Sequence, residues 1–457
     1  MDYNQLKIYL LLSLVFTVSI VVLGFNPEPQ KENKPQKEIV SRLIKDEIKK
    51  IFYQDKAKII DSIMQQKRKK AYFNGSVLVA YKGKCIYNKS FGYADLRKRR
   101  NLKENDIFQL ASVSKQFTAM AIMILKEQNR LSYDDTVTKY IPEFPYPQIT
   151  VRMLLNHTSG LPNYYWLVEH HWNKKEAPLN EDVIKLLSEY KLGLYFTPGK
   201  RWDYSNTGYV VLASIVERIS GNNFCEFMQQ NIFDPLQMKN TFVYSSSVAS
   251  CQRKKLKGYY YRGRRYREIP ETINDGTVGD KGVYSTTADL FKWDRALYSN
   301  ILVSKETMQE AISTFKLRDK YEIPYGFGFR IKKHDQKKIA YHHGKWNGFR
   351  TSMLRYVEDT NTIIILNHTS SSLNNSIIRE IQKVIGDTST CNTTQEVIAT
   401  ILDEGLMPAL KYLNNENLVL DTVKLIKVSQ ILYKSNSHVA ARRLGLFNQM
   451  CLQKRLY

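Results

Sequence analysis

The hydrophobic pattern of the chain opens on an apolar run. Ile8 to Phe25 carries no formal charge and is preceded only by Asp2 and Lys7. Such a run fits a signal peptide or a single membrane anchor over residues 1–25, and either one exports the rest of the chain. Residues 26–36 are polar and proline-bearing, as in a linker. Ile39, Leu43, Ile44, Ile48 and Ile51 then recur at helical spacing between charges, and Lys67-Arg-Lys-Lys70 closes the segment. Residues 26–70 therefore read as a polar linker followed by a basic helix that leads into a domain.

A globular domain is expected over residues 71–386. Ser76–Tyr81 and Cys85–Tyr87 flank Lys82-Gly83-Lys84 as in a hairpin. Ala119–Leu125 is apolar on every side, as in a helix packed all round. A second helix is expected at Tyr209–Ile219, ended by Ser220-Gly221. Strand patterns return at Lys338–His342, Phe349–Tyr356 and Thr362–Leu366, followed by a helix near Ser371–Ile385. Sheet-forming ends around a largely helical middle predict a mixed domain with an inserted helical lobe. Beyond it, Val397–Leu402, Leu418–Leu420 and Val423–Leu432 predict a small C-terminal helical extension over residues 387–457.

Composition narrows the possibilities. The 457 residues carry a net charge of +24, spread along the chain rather than gathered in a block. This fits attraction to anionic envelope polymers, or simply a lysine-rich composition. No signature of a nucleic-acid-binding module is present, so no nucleic-acid partner is expected. The five cysteines have no metal spacing, and their odd number argues against an obligatory disulfide framework. His170-His171 read as loop or surface residues.

The chemistry concentrates in three places. Ser112-Val-Ser-Lys115 stands directly before the apolar helix. Residues three apart on a helix share a face, so Ser112 and Lys115 can touch. A serine hydroxyl needs a base, and a lysine serves only if desolvation lowers its pKa. The apolar surroundings would do so. Ser188–Lys191 and Ser313–Lys316 repeat the spacing without an apolar helix behind them. The second place is Tyr204-Ser-Asn206, after Pro198-Gly199 and Trp202 and before a helix. There Tyr204 would relay protons, and Asn206 would grip the substrate and Lys115. The third is His342-His-Gly344-Lys345 at a strand end, where a small residue lets a substrate backbone lie alongside.

In this order the three pieces resemble the serine β-lactamase and penicillin-binding family. The likeness is to its class C-like branch of DD-peptidases, D-aminopeptidases and esterases, and it spans about residues 71 to 386. Leu154–Pro162, Gly279–Thr286 and Tyr325–Gly328 add to it. The resemblance implies an α+β fold, an antiparallel sheet flanked by helices with an inserted all-helical lobe. It implies Ser112 as acyl-enzyme nucleophile, with Lys115 and Tyr204 sharing acid and base work. Asn206, His342, Gly344 and Lys345 would bind substrate, the backbone N–H groups of Ser112 and Lys345 forming an oxyanion hole. His157 and Ser159 would be structural. No metal or cofactor is needed. His342 stands where many members carry a lysine, so a peptidase-like activity is expected rather than efficient β-lactam hydrolysis. The expected protein is an exported serine hydrolase of the periplasm or cell envelope. It would act on a small peptide, ester or β-lactam-like substrate, such as a cell-wall peptide, with membrane association through its N-terminus. The alternatives are an idle receptor or scaffold, and a true class C-like β-lactamase.

Overall fold

The computed structural model describes residues 53–70, 73–248, 255–262, 265–317, 321–334 and 336–386, with Thr422–Lys434 and His438–Lys454 and a few isolated positions between 394 and 420. The apolar run Ile8–Phe25 lies outside these residues. Among the described residues no helix is long and apolar enough to cross a membrane. Two compact units are present, Phe52–Asn392 and a second formed by the remaining ends. In the second, the described helices Thr422–Lys434 and His438–Lys454 pack on each other through buried Leu425, Val428, Leu432, Leu444 and Phe447.

The first unit is built on a six-stranded antiparallel sheet. Its strands are β1 (Gly75–Tyr81), β2 (Lys84–Phe91), β3 (Arg330–His334), β4 (Lys337–Trp346), β5 (Phe349–Tyr356) and β6 (Asn361–Asn367), in the order β3-β4-β5-β6-β1-β2. The ends of the domain thus meet, β6 lying beside β1 with Gly75 opposite Asn367. β1 and β6 are buried along their whole length because both faces are covered. Strand alternation sorts their side chains. Val77, Val79, Ile363 and Ile365 face one core, shared with Ile60 and Met64 of α1 (53–70) and with Ile377, Ile378 and Ile381 of α4 (Asn374–Gly386). Leu78, Ala80, Ile364 and Leu366 face the larger core, which includes α2 (Lys115–Glu127) and α3 (Asn206–Ser220). α1, the described end of the basic segment, packs on one face of the sheet, and the Ile39–Ile51 pattern lies outside the described residues. The segment between β2 and β3 supplies the helices of the other layer.

The elements agree with the pattern of the chain, with instructive differences. Ser112 does not begin an α-helix. It lies in a 3-10 turn, Ala111–Ser114, that runs directly into α2. The middle also holds a small three-stranded sheet of Phe108–Gln109, Val283–Ser285 and Phe242–Val243, too short to leave a periodic signal. His170 and His171 are at the surface as expected, but they end a helix, Tyr164–His171. Cys225 is disulfide-bonded, whereas Cys85 is free. Sequence spacing held no sign of this bond.

Candidate active site

The site lies where the 3-10 turn, the start of α3 and the end of β4 converge. In a 3-10 turn side chains at i and i+3 eclipse, so the turn aligns Ser112 with Lys115 at least as well as an α-helix would. Ala111 takes a φ of +50°, a left-handed conformation that costs energy for a residue with a Cβ. The turn is held in place by its neighbours. Leu110 N–H donates to the Val283 carbonyl at 2.8 Å, Thr351 Oγ1 donates to the Leu110 carbonyl at 2.6 Å, and Val283 N–H donates to Ser114 Oγ at 3.1 Å.

Lys115 is fully buried. Its Nζ donates to Asn206 Oδ1 and to the Asp280 carbonyl, both at 2.8 Å. Burial lowers its pKa to about 8, against an upward pull from Asp280 and with a further downward push from Arg330. Asn206 is the first residue of α3. Ser205 caps that helix, its Oγ accepting from Gly208 N–H at 3.2 Å.

Tyr204 lies just before that cap. The Lys115 ammonium stands 5.0 Å from its ring centroid. Burial raises the Tyr204 pKa well above the phenol range, while the nearby Ser112 hydroxyl and Arg330 pull it down. The Ser112 hydroxyl is thus close enough to be felt, but the pair does not meet hydrogen-bond geometry. Among the described residues Tyr204 Oη, buried, has no hydrogen-bond partner. The phenol is neutral and its hydroxyl is uncommitted.

His157 underlies Tyr204, with ring centroids 4.5 Å apart. Its Nδ1 accepts from Ser205 N–H at 3.1 Å, so the proton sits on Nε2. Burial, then Lys115, holds its pKa well below 6.5. It supports the tyrosine from beneath and does not open onto the cleft.

Across the cleft, β4 presents His342 and Gly344 on the face that meets the 3-10 turn. A Cβ at Gly344 would lie 2.2 Å from the Leu110 oxygen and 2.3 Å from Thr351 Oγ1, so only glycine permits this approach. His342 Nδ1–H donates to the His343 carbonyl at 2.8 Å. That fixes Nε2 as the lone-pair nitrogen, which accepts from Tyr325 Oη at 3.2 Å. Burial and then Lys115 push its pKa well below 6.5. Both ring nitrogens are engaged within the protein. β3 pairs with β4 only as far as Tyr341, so residues 342–346 form an open strand edge.

Ser112, Tyr204, His342, Gly344 and Lys345 line a cleft of about 540 Å³. Arg330 and Arg350 also line it, and no lining side chain is acidic. The Arg330 guanidinium lies 5.3 Å from the Tyr204 ring centroid. Lys345 is exposed. The structure thus brings together all seven residues singled out from the sequence. Arg330, Arg350, Tyr325 and Asp280 were not assigned a role there. Tyr325 and Asp280 fall in stretches that carried the family resemblance, whereas the two arginines sit in strands with no local signal. Among the described residues no group of His, Cys, Asp and Glu could hold a metal ion.

Fold and site together are those of a serine hydrolase scaffold of the β-lactamase type. The chain belongs to the beta-lactamase family, whose pattern it matches over residues 58–382. It is 38% identical over 327 residues to penicillin-binding protein 4* of Bacillus subtilis (strain 168), covering 69% of this chain and 72% of that protein. It is 27% identical over 278 residues to the teichoic acid D-alanine hydrolase of Staphylococcus aureus (strain NCTC 8325 / PS 47), covering 61% of this chain and 66% of that one. Among solved structures, a penicillin binding protein from Bacillus halodurans aligns with a TM-score of 0.61 at 24% identity, covering 70% of this chain and 98% of that chain. A D-amino acid amidase from Ochrobactrum anthropi SV3 aligns at 0.60 and 20% identity, covering 73% and 99%. These two share the fold.

Proposed function

We propose that the protein is an exported serine hydrolase that cleaves an amide or ester through an acyl-enzyme on Ser112. The observation that carries this reading is the Lys115 amine, buried and held by two acceptors one turn from a serine that opens onto the cleft. When neutral, Lys115 has two N–H bonds, and Asn206 Oδ1 and the Asp280 carbonyl take both. Its lone pair is then left for the Ser112 proton. With a pKa of about 8 it is partly deprotonated near neutrality and suits general base work.

In the proposed step Ser112 Oγ attacks the substrate carbonyl carbon as its proton passes to Lys115 Nζ. The backbone N–H groups of Ser112 and Lys345 stabilise the oxyanion. The C–N or C–O bond then breaks, and the leaving group takes a proton through Tyr204 Oη. That phenol stays neutral because burial raises its pKa, so it acts as donor and relay. Water hydrolyses the ester by the reverse proton route. Asn206 Nδ2 and the open edge of β4 hold the substrate backbone, and His342, neutral and committed to Tyr325, forms the wall between them.

The substrate in this reading carries an anionic group. Replacing a strand-end lysine by a neutral histidine would weaken carboxylate binding, but Arg330, Lys345 and Arg350 restore positive charge to a cleft without acids. A D-alanyl peptide or ester of the cell envelope fits this chemistry. The names of two relatives, a penicillin-binding protein and a teichoic acid D-alanine hydrolase, support that class.

Labelling with a fluorophosphonate serine probe, followed by peptide mapping, tests the assignment. The adduct should sit on Ser112, disappear in Ser112→Ala, and persist in Ser188→Ala and Ser313→Ala. A folded wild type that is never labelled and turns over no D-alanyl substrate would instead favour a binding protein.

A further inference from the structure

Lys115 depends on a backbone oxygen contributed by Asp280, and the setting of that residue is unusual. The segment 279–283 is sewn to the 3-10 turn and α2. Thr118 Oγ1 donates to the Gly279 carbonyl at 2.7 Å, and Val283 N–H donates to Ser114 Oγ at 3.1 Å. Gly279 takes a φ of +101° and lies so close to α3 that a Cβ would stand 2.4 Å from the Tyr209 oxygen. Asp280 therefore presents its carbonyl to Lys115, while its carboxylate is directed to the helix Tyr164–His171. There Oδ2 accepts from Tyr165 Oη at 2.9 Å and Tyr164 Oη at 3.2 Å.

The same carboxylate meets a second buried lysine. Lys281 Nζ lies 3.3 Å from Asp280 Oδ1, with both side chains almost fully buried. It also donates at 2.8 Å to Tyr164 Oη and to Thr277 Oγ1. Its ammonium stands 5.0 Å from the ring centroid of Trp346, which ends β4 and is fixed by a 2.7 Å bond from Nε1 to Asp275. Burial, and more weakly Lys115, lower the Lys281 pKa, against the upward pull of the Asp280 and Asp275 carboxylates, and the buried ammonium is kept by that pairing and by an acceptor for each of its donors.

We propose that Lys281 is a positioning residue that balances the Asp280 carboxylate, so that Lys115 meets the Asp280 carbonyl dipole rather than an uncompensated negative charge and remains able to give up its proton. This rests on Lys115 acting as the base. An uncompensated carboxylate this near would hold Lys115 as the ammonium, the form that cannot accept the Ser112 proton. The other groups around Lys115 do not substitute for Lys281. Arg330 reaches it from β3 and disfavours its charge. His157 and His342 are held neutral by burial, and Tyr204 and Tyr209 are phenols whose pKa is raised. Asp280 is the acid among the groups acting on Lys115, and Lys281 is its salt-bridge partner.

The test uses the full chain with 15N-labelled lysine side chains. The Lys115 Nζ resonance, identified by its loss in Lys115→Met, is titrated in the wild type and in Lys281→Met, Asp280→Asn and the double variant Asp280→Asn/Lys281→Met. This readout needs no turnover, so its result is separate from the fate of the acyl-enzyme reading. Lys281→Met should raise the Lys115 pKa by about one unit or more, and Asp280→Asn should lower it. The double variant should return it to near the wild-type value, because both charges are then gone while the Asp280 backbone carbonyl remains. The acid limb of the pH–rate profile should move with the resonance. If Lys281→Met does not fold, the opposite shift in Asp280→Asn and the return in the double variant still decide the matter. A Lys115 pKa that is unchanged in the folded variants, or that shifts in the same direction in both single variants, overturns the proposal.

Discussion

Lys115 Nζ lies 2.8 Å from Asn206 Oδ1, a bond that joins residues 91 apart in sequence. It connects the helix behind the nucleophile to the first turn of α3.

The pH dependence of kcat/KM should report Lys115. Lys115 must be unprotonated to act, so activity falls as pH drops through about 8, roughly tenfold per unit below it. No limb from His342 is expected between pH 6 and 7, because burial and Lys115 hold that imidazole well below 6.5. His342→Lys places a cation beside Lys115 and should move the acid limb to lower pH, with a gain for substrates bearing a free carboxylate. A wild-type limb centred near 6.5 that vanishes in His342→Asn would show that the imidazole, rather than Lys115, is the titrating group.

Tyr204→Phe should reduce kcat by about 10²- to 10⁴-fold, the range for loss of a positioned acid or base. Tyr298→Phe should leave it within about twofold, although Tyr298 also begins a Tyr-Ser-Asn sequence. Tyr298 lies against Arg355 and Arg295, away from the cleft. Steady-state kinetics of the two variants side by side distinguish them, and equal losses would remove the role of Tyr204.

Gly344→Ala should damage both stability and turnover. The added methyl meets the Leu110 oxygen, so either β4 or the 3-10 turn must shift. Overpacking of this kind costs about 1–3 kcal/mol. The melting temperature should fall, and fluorophosphonate labelling of Ser112 should slow more than the loss of folded protein explains. Labelling at the wild-type rate would mean that the approach of β4 to the turn is not needed.

Acid should destabilise the fold before its carboxylates titrate. His157, His342 and His368 are buried with pKa values below 6.5, and burial lowers that of His343 to about 4. In the unfolded chain these groups bind protons near 6.5, so as pH falls below that value the unfolded state gains protons that the native state does not, and stability declines. Calorimetric melting between pH 7.5 and 5 should show a falling melting temperature. His157→Gln should reduce the slope, and a flat profile would contradict the burial of uncharged imidazoles.

Much of this protein was legible in local pattern. Short strand-forming runs bounded by turn residues marked β1, β5 and β6, and an all-round apolar run marked α2, because the pattern of a segment follows directly from which of its faces are covered. The Ser112–Lys115, Tyr204–Asn206 and His342–Gly344 groups could be named because each pair lies within a few residues. Context singled out one copy of each short spacing, but local sequence could not show how the three groups meet in space. Ser188 and Ser313 keep their lysines, but Lys191 and Lys316 are exposed, where water keeps an amine charged. Only the closing of β6 on β1, and of β4 on the 3-10 turn, desolvates Lys115 and sets Tyr204 and His342 across from it. The placement of Arg330, Tyr325, Asp280 and Lys281 was likewise decided by tertiary structure. Arg330 and Asp280 reach Lys115 from far along the chain, and even the adjacent Asp280 and Lys281 pair only where packing has buried them both.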